Sequence, residues 1–196
     1  MLLKDKNAVI YGGGGSIGGA VARAFAREGA NVFLAGRTRA KLEEVSDEIR
    51  SSGGVAETAQ VDTLDGRAVD GHADAVAASA GGIDISFNLI SHGDVHGTPM
   101  AEMDLEDYAR PVVTAVRTTF LTWRAAARHM IRQGSGVILA FGGSGDPIRL
   151  PDMETLERDA KAWCEERNRV GRSVDWRFRT EDARIKLRSL YPSTEE

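Results

Sequence analysis

Asn7-Ala-Val-Ile-Tyr-Gly-Gly-Gly-Gly-Ser-Ile-Gly18 is the stretch whose reading decides the fold. A short apolar run closed by glycines reads as a strand buried on both faces. Beyond the glycines, Ile17, Val21 and Phe25 recur at helical spacing, and Gly29 ends the helix. Four consecutive glycines between a strand and a helix keep side chains away from the backbone N–H groups at the helix start. The helix dipole adds attraction for negative charge there. The pattern therefore points to a phosphate cradle. A tight turn that uses glycine for steric reasons alone is the alternative, and placement at the first strand–helix junction favours the cradle.

The same alternation continues down the chain. Asn31-Val-Phe-Leu-Ala35 is a second strand, followed by Gly36-Arg37. Residues 39–51 form a charged helix with Leu42, Val45 and Ile49 on one face. A third strand runs from Ala56 to Val61 and closes at Asp62, an alanine-rich helix covers 66–80, and a fourth strand runs from Ile83 to Ile90. A long helix lies within Leu105 to Gln133, and Gly136-Val-Ile-Leu-Ala-Phe141 is a fifth strand. Strands alternating with helices imply right-handed crossovers and a Rossmann-like α/β fold, a doubly wound parallel sheet of about five strands.

Residues 1–145 resemble the short-chain dehydrogenase/reductase family, whose cradle is written Thr-Gly-x-x-x-Gly-Ile-Gly. Tyr11 and Gly12 match its first two positions in place, and Ser16-Ile17-Gly18 its last three, with Tyr11 standing for the threonine and Ser16 for the central glycine. The resemblance implies a bound dinucleotide held by Gly12, Gly14, Gly15, Ser16 and Ile17. Arg37 follows the second strand, where NAD-preferring members carry an acid. A cation there pairs with the 2′-phosphate of NADP, with Arg39 as a helper, so NADP is favoured over NAD; a solvated loop arginine is the other reading. Asp62 matches the family residue that holds the adenine amino group, and also reads as a turn aspartate. Asn88 matches the first asparagine of the family's Asn-Asn-Ala-Gly, and reads equally as a structural pin between strands.

The catalytic residues that the resemblance calls for are a different matter. In the family a serine after the fifth strand, a tyrosine, and a lysine four residues beyond it act together on the substrate oxygen while the nicotinamide carries the hydride. Here Gly143 takes the serine position and Ser144 stands one residue off, as the one candidate catalytic residue. The tyrosines are Tyr11, Tyr108 and Tyr191, and four residues after them stand Gly15, Val112 and Glu195. The asparagine of the long helix is also missing, with Thr114 and Ala115 in its region. His92, His96 and His129 are the histidines that could stand in as acids, with nothing in the sequence to place them.

Composition bounds the remaining classes. The 196 residues suit one core of moderate size, and a net charge of −4 argues against a generic nucleic-acid or anionic-membrane surface. No apolar run reaches the length of a membrane span, no set of ligands spells a metal site, and the single Cys164 excludes an internal disulfide. The expected compartment is cytoplasmic. A seam falls near Gly145: residues 1–145 hold 21 of the 22 glycines, whereas 146–196 are dense in charge and carry two of the three tryptophans.

The domains are thus 1–145, the dinucleotide-binding part, and 146–196, a charged helical appendage. In the appendage Leu156, Ala160 and Trp163 share one helix face, and Ala183, Leu187, Leu190 and Tyr191 share another that Pro192 ends. Leu150-Pro-Asp-Met-Glu-Thr-Leu-Glu-Arg158, Val174-Asp-Trp-Arg-Phe178 and Thr180-Glu-Asp-Ala-Arg-Ile-Lys-Leu-Arg-Ser-Leu-Tyr-Pro192 are similar to the C-terminus of bacterial IS630-type transposases. That resemblance implies a reductase interrupted after its fifth strand by an insertion element. Its consequences are an exposed sheet edge prone to self-association, a cofactor site without its usual proton donor, and no DNA partner. A working oxidoreductase using Ser144, and a binding or regulatory module, are the alternatives. The substrate is not legible.

Overall fold

The computed structural model describes residues 1–141; the expectations for Ser144 and for the appendage lie outside the described residues. The order is β1 (Asn7–Tyr11), α1 (Ser16–Arg27), β2 (Asn31–Gly36), α2 (Arg39–Ser51), β3 (Val55–Gln60), α3 (Gly66–Ala80), β4 (Ile85–Asn88), a short 3-10 turn (Met100–Glu102), α4 (Leu105–Gln133) and β5 (Val137–Ala140). All strand pairs are parallel, in the order β3-β2-β1-β4-β5. This is the doubly wound sheet expected from the sequence, with its order reversing between β1 and β4. A crevice for a ligand opens at such a reversal, beyond the carboxyl ends of the strands.

Alternation along the central strands divides the core in two. Val9, Tyr11, Phe33 and Ala35 face α3 and α4, packing with Val69, Ala73, Ala125 and Met130. Ala8, Ile10, Val32 and Leu34 face α1 and α2, packing with Ala22, Leu42, Val45 and Ile49. Helix α2 buries the face its spacing predicts. Helix α1 does so in part: Val21 and Phe25 pack partly buried against this core, while its buried positions are Gly18, Gly19 and Ala22 and Ile17 is 52% exposed. The reason is backbone proximity, since a Cβ on Gly18 would collide with the Gly12 carbonyl oxygen. Glycine therefore sets the contact between helix and strand, and larger apolar residues take its margins.

At the amino ends of the strands, side chains tie the sheet together. The Asn7 N–H donates to Asp84 Oδ2 (2.9 Å), Lys6 Nζ donates to Asp84 Oδ1 (2.9 Å), and the Val137 N–H donates to the Asp84 carbonyl (2.8 Å). Asn7 Nδ2 donates to the carbonyls of Ala80 and Gly82, and Asn31 Nδ2 donates to Asn7 Oδ1. Four strands are thereby pinned at the edge opposite the crevice.

Candidate functional site

The cradle is built from β1 outward. Tyr11 ends the strand 1% exposed; burial first, and the nearby Asp70 carboxylate second, hold its hydroxyl above the ordinary phenol range. Its ring stands edge-on to His72, with centroids 5.8 Å apart, and burial pushes the His72 imidazole down to about 4. Tyr11 is thus a core residue, spent on packing under the cradle.

Gly12 turns the chain with φ +84°, and its N–H donates to the Ala35 carbonyl (2.8 Å). A Cβ there would lie 2.5 Å from the Leu89 carbonyl oxygen, one on Gly13 2.8 Å from the Leu34 side chain, and one on Gly14 2.9 Å from Lys41 Cβ. Steric need and phosphate clearance are therefore met by the same glycines. Gly15 caps α1 with extended backbone, and no side chain among the described residues satisfies the first N–H groups of that helix. An uncapped helix start over a glycine floor is a place where an anion meets donors and a favourable dipole.

A cavity of about 560 Å³ runs along the carboxyl edge of the sheet. Gly12, Gly14 and Gly15 form its floor; Gly36, Arg37, Thr38 and Lys41 lie beyond β2; Val61, Asp62, Thr63 and Leu64 beyond β3. Leu89 to Gly93 follow β4, and Arg110, Thr114 and Thr118 come from α4. Three cations and one acid line it. Arg110 donates to Asp107 (2.7 Å), while Arg37 and Lys41 take part in no ion pair among the described residues.

The residues anticipated from the sequence divide into two groups. Gly12, Gly14, Gly15, Arg37 and Asp62 line the cavity. Ser16 and Ile17 open α1 beside it, exposed, without lining it. Asn88 is 3% exposed and off the cavity: its Nδ2 donates to Thr118 Oγ1 (3.4 Å) and its Oδ1 accepts from the Ile90 N–H (3.0 Å). It pins β4 to α4. Asp62 lines the cavity, and its Oδ1 accepts from the Leu64 N–H (3.0 Å) as the turn aspartate of the second reading.

Arg39 is a correction. Its Nε donates to Glu43 Oε1 (2.6 Å) along the surface of α2, and it does not line the cavity. Lys41 does, two residues on. The i,i+4 pairing of Arg39 with Glu43 is the sequence signal that could have found this. Of the histidines, His92 lines the cavity, whereas His129 is engaged between Asp74 (Nε2 to Oδ1, 2.8 Å) and Arg132 (2.9 Å to Nδ1). Among the described residues no three His, Cys, Asp or Glu side chains are grouped to hold a metal ion, and no helix is long and apolar enough to cross a membrane.

A parallel sheet with a glycine-floored cavity at its order reversal defines the class: an α/β protein with a ligand crevice at the strand ends. The family follows from sequence. The short chain dehydrogenase profile matches residues 6–144, and the chain belongs to that family. It is 34% identical over 143 residues to the uncharacterized oxidoreductase YxbG of Bacillus subtilis, covering 73% of this chain and 52% of that protein. It is 33% identical over 137 residues to gluconate 5-dehydrogenase of Gluconobacter oxydans, covering 70% and 53%. The chain spans about half the length of these curated relatives.

Among solved structures, a short-chain type dehydrogenase/reductase from Mycobacterium marinum superposes with a TM-score of 0.64 at 39% identity, covering 70% of this chain and 54% of that one. A metagenomic short-chain oxidoreductase in complex with NADP gives 0.67 at 27%, covering 86% and 79%. An NAD+-bound xylitol dehydrogenase gives 0.67 at 27%, covering 83% and 62%.

Proposed function

We propose that this chain binds an NADP(H)-type dinucleotide along the carboxyl edge of its sheet and does not turn it over at the rate of a complete short-chain reductase. The observation that carries the reading is the cavity itself, a bare glycine floor at an uncapped helix start, lined beyond β2 by Arg37 and Lys41, which form no ion pair among the described residues. Gly12, Gly14, Gly15 and the first N–H groups of α1 would take the pyrophosphate, Asp62 the adenine end, and Arg37 the ribose 2′-phosphate. The nicotinamide, when bound, supplies the hydride. One solved relative holds NADP and another NAD+, so kinship supports a dinucleotide and the choice between the two rests on Arg37.

The other half of the reading is chemical. No tyrosine of this sequence is followed four residues later by lysine, so the usual pair that delivers a proton to a substrate oxygen is missing. Ser144 lacks the partner it would work with. Removing such a unit costs orders of magnitude in rate. In the same reading residues 146–196 are a transposase-like passenger whose interleaved acids leave no phosphate-binding strip, and the full chain is expected to show no salt-sensitive retention on DNA.

Fluorescence titration with NADPH and NADH tests the proposal. Saturable NADPH binding is expected, tighter than NADH, and weakened about tenfold or more by Arg37→Glu. A folded protein that binds neither would overturn it. A second reading, turnover by an unusual acid, is favoured by one observation: His92 lines the cavity near Ser91 and Thr114. There it would pass a proton to a carbonyl oxygen. NADPH oxidation that vanishes in His92→Gln would establish that reading in place of the first.

A further inference from the structure

We propose that Lys41 is a specificity-determining residue, a second cation beside Arg37 that selects a nucleotide carrying phosphate on its ribose 2′-oxygen. The proposal rests on the cofactor reading above and adds to it a residue that neither motif nor spacing singles out.

Three observations converge on Lys41. It stands in the first turn of α2 and lines the cavity with Gly36, Arg37 and Thr38, whereas Arg39, the closer cation in sequence, is closed onto Glu43. Its root is fixed: a Cβ on Gly14 would come within 2.9 Å of Lys41 Cβ and 3.2 Å of its carbonyl carbon. The helix turn that carries Lys41 therefore lies directly on the cradle floor. A long side chain anchored at its base loses less freedom on engaging a ligand than one on an open surface.

The third observation concerns charge. Arg23 on α1 pairs with Glu48 and Arg50 on α2 with Asp47, whereas Arg37 and Lys41, the two cations that line the cavity beyond β2, pair with no acid among the described residues. The first turn of α2 holds no acid, and the one acid lining the cavity, Asp62, already accepts from the Leu64 N–H. Two cations that form no ion pair among the described residues and outnumber Asp62, in a chain of net charge −4, suit a dianion and gain nothing from a hydroxyl. The guanidinium grips two oxygens at once, and the ammonium adds a point charge.

Adenosine 2′,5′-bisphosphate and adenosine 5′-monophosphate differ only in the 2′-phosphate, and calorimetric titration of the full chain with both provides the test. Lys41→Met keeps the stem against Gly14 and removes the charge. It should weaken the bisphosphate about 5–20-fold while moving the monophosphate less than about twofold, and Lys41→Arg should recover most of the loss. Added salt should narrow the wild-type discrimination more than that of Lys41→Met. Equal losses on both ligands, or none on either, would overturn the assignment. If Arg37→Met alone abolishes discrimination while Lys41→Met preserves it, the role of Lys41 falls and the cofactor reading stands. If the wild-type protein, folded by circular dichroism, binds neither ligand, both fall together.

Discussion

At position 72 an imidazole has been taken out of water with its Nδ1 buried and unpartnered among the described residues, and burial lowers it from 6.5 to about 4. In the unfolded chain it titrates near its ordinary value. Between those two pH values the unfolded chain therefore holds more protons, and stability rises with pH. The contribution is complete at neutrality and is lost as pH falls through about 6.5 toward 4, amounting to about 3 kcal/mol. Urea midpoints should drop across that window, and His72→Gln should flatten the drop; an unchanged profile would count against the assignment. Gly18→Ala, which drives a Cβ into the Gly12 carbonyl, should cost at least about 2 kcal/mol in the same assay and blunt nucleotide binding. The sequence makes Gly12, Gly15, Arg37 and Asp62 legible because each is tied to a strand end. It hides Lys41 and misassigns Arg39, because the outcome depends on which side of α2 faces the cradle and on the ion pair between Arg39 and Glu43. Asn88 reads equally as a cofactor-lining residue or a pin between strands, and the contact it makes, to the Thr118 hydroxyl thirty residues away on α4, is one that no local spacing announces.

Elements were legible wherever the apolar period was uninterrupted. Helix α2 buries Leu42, Val45 and Ile49 as its spacing requires, and α3 runs from Gly66 to Ala80 with Asp65 capping it through the N–H groups of Arg67 and Ala68. Helix α1 departs from its pattern because glycine, invisible to a hydrophobic period, makes the close contact. Between α3 and α4 the sequence gives no hint of the polar seam that forms: Arg124 to Asp70 (2.8 Å), Arg128 to Asp70 (3.5 Å) and His129 to Asp74 (2.8 Å). Such pairs depend on register between helices, which no local spacing encodes. The Arg124 and Asp70 side chains are part-exposed, so a double-mutant cycle on Arg124→Ala and Asp70→Ala should return a coupling of about 0.5–1 kcal/mol that shrinks with salt. A coupling near zero would mean the seam orients the helices without stabilising them.

Among the described residues, α4 and β5 both present apolar side chains to solvent. Tyr108, Val112, Val116 and Phe120 are more than half exposed along one side of α4, and Val137 and Leu139 lie on β5, whose outer edge pairs with no strand among the described residues. Unpaired edges and apolar stripes invite association. Light scattering should find the full chain self-associating with concentration. Suppression by Leu139→Lys would assign it to the sheet edge, and suppression by Phe120→Glu to the helix. The pins at the opposite end of the sheet carry a further meaning. Because Asp84 and Asn7 fasten β1, β2, β4 and β5 at their amino ends, side-chain hydrogen bonds add to the ladder in keeping the strands from sliding past one another. In hydrogen exchange the amides of Asn7, Asp84 and Val137 should be among the last to give up their protons, well after Leu89 and Ile90. Fixed by side chains at one end and by the ladder along their length, the strands hold the loops at the other end at a constant spacing, so the width of the crevice is set far from the crevice itself.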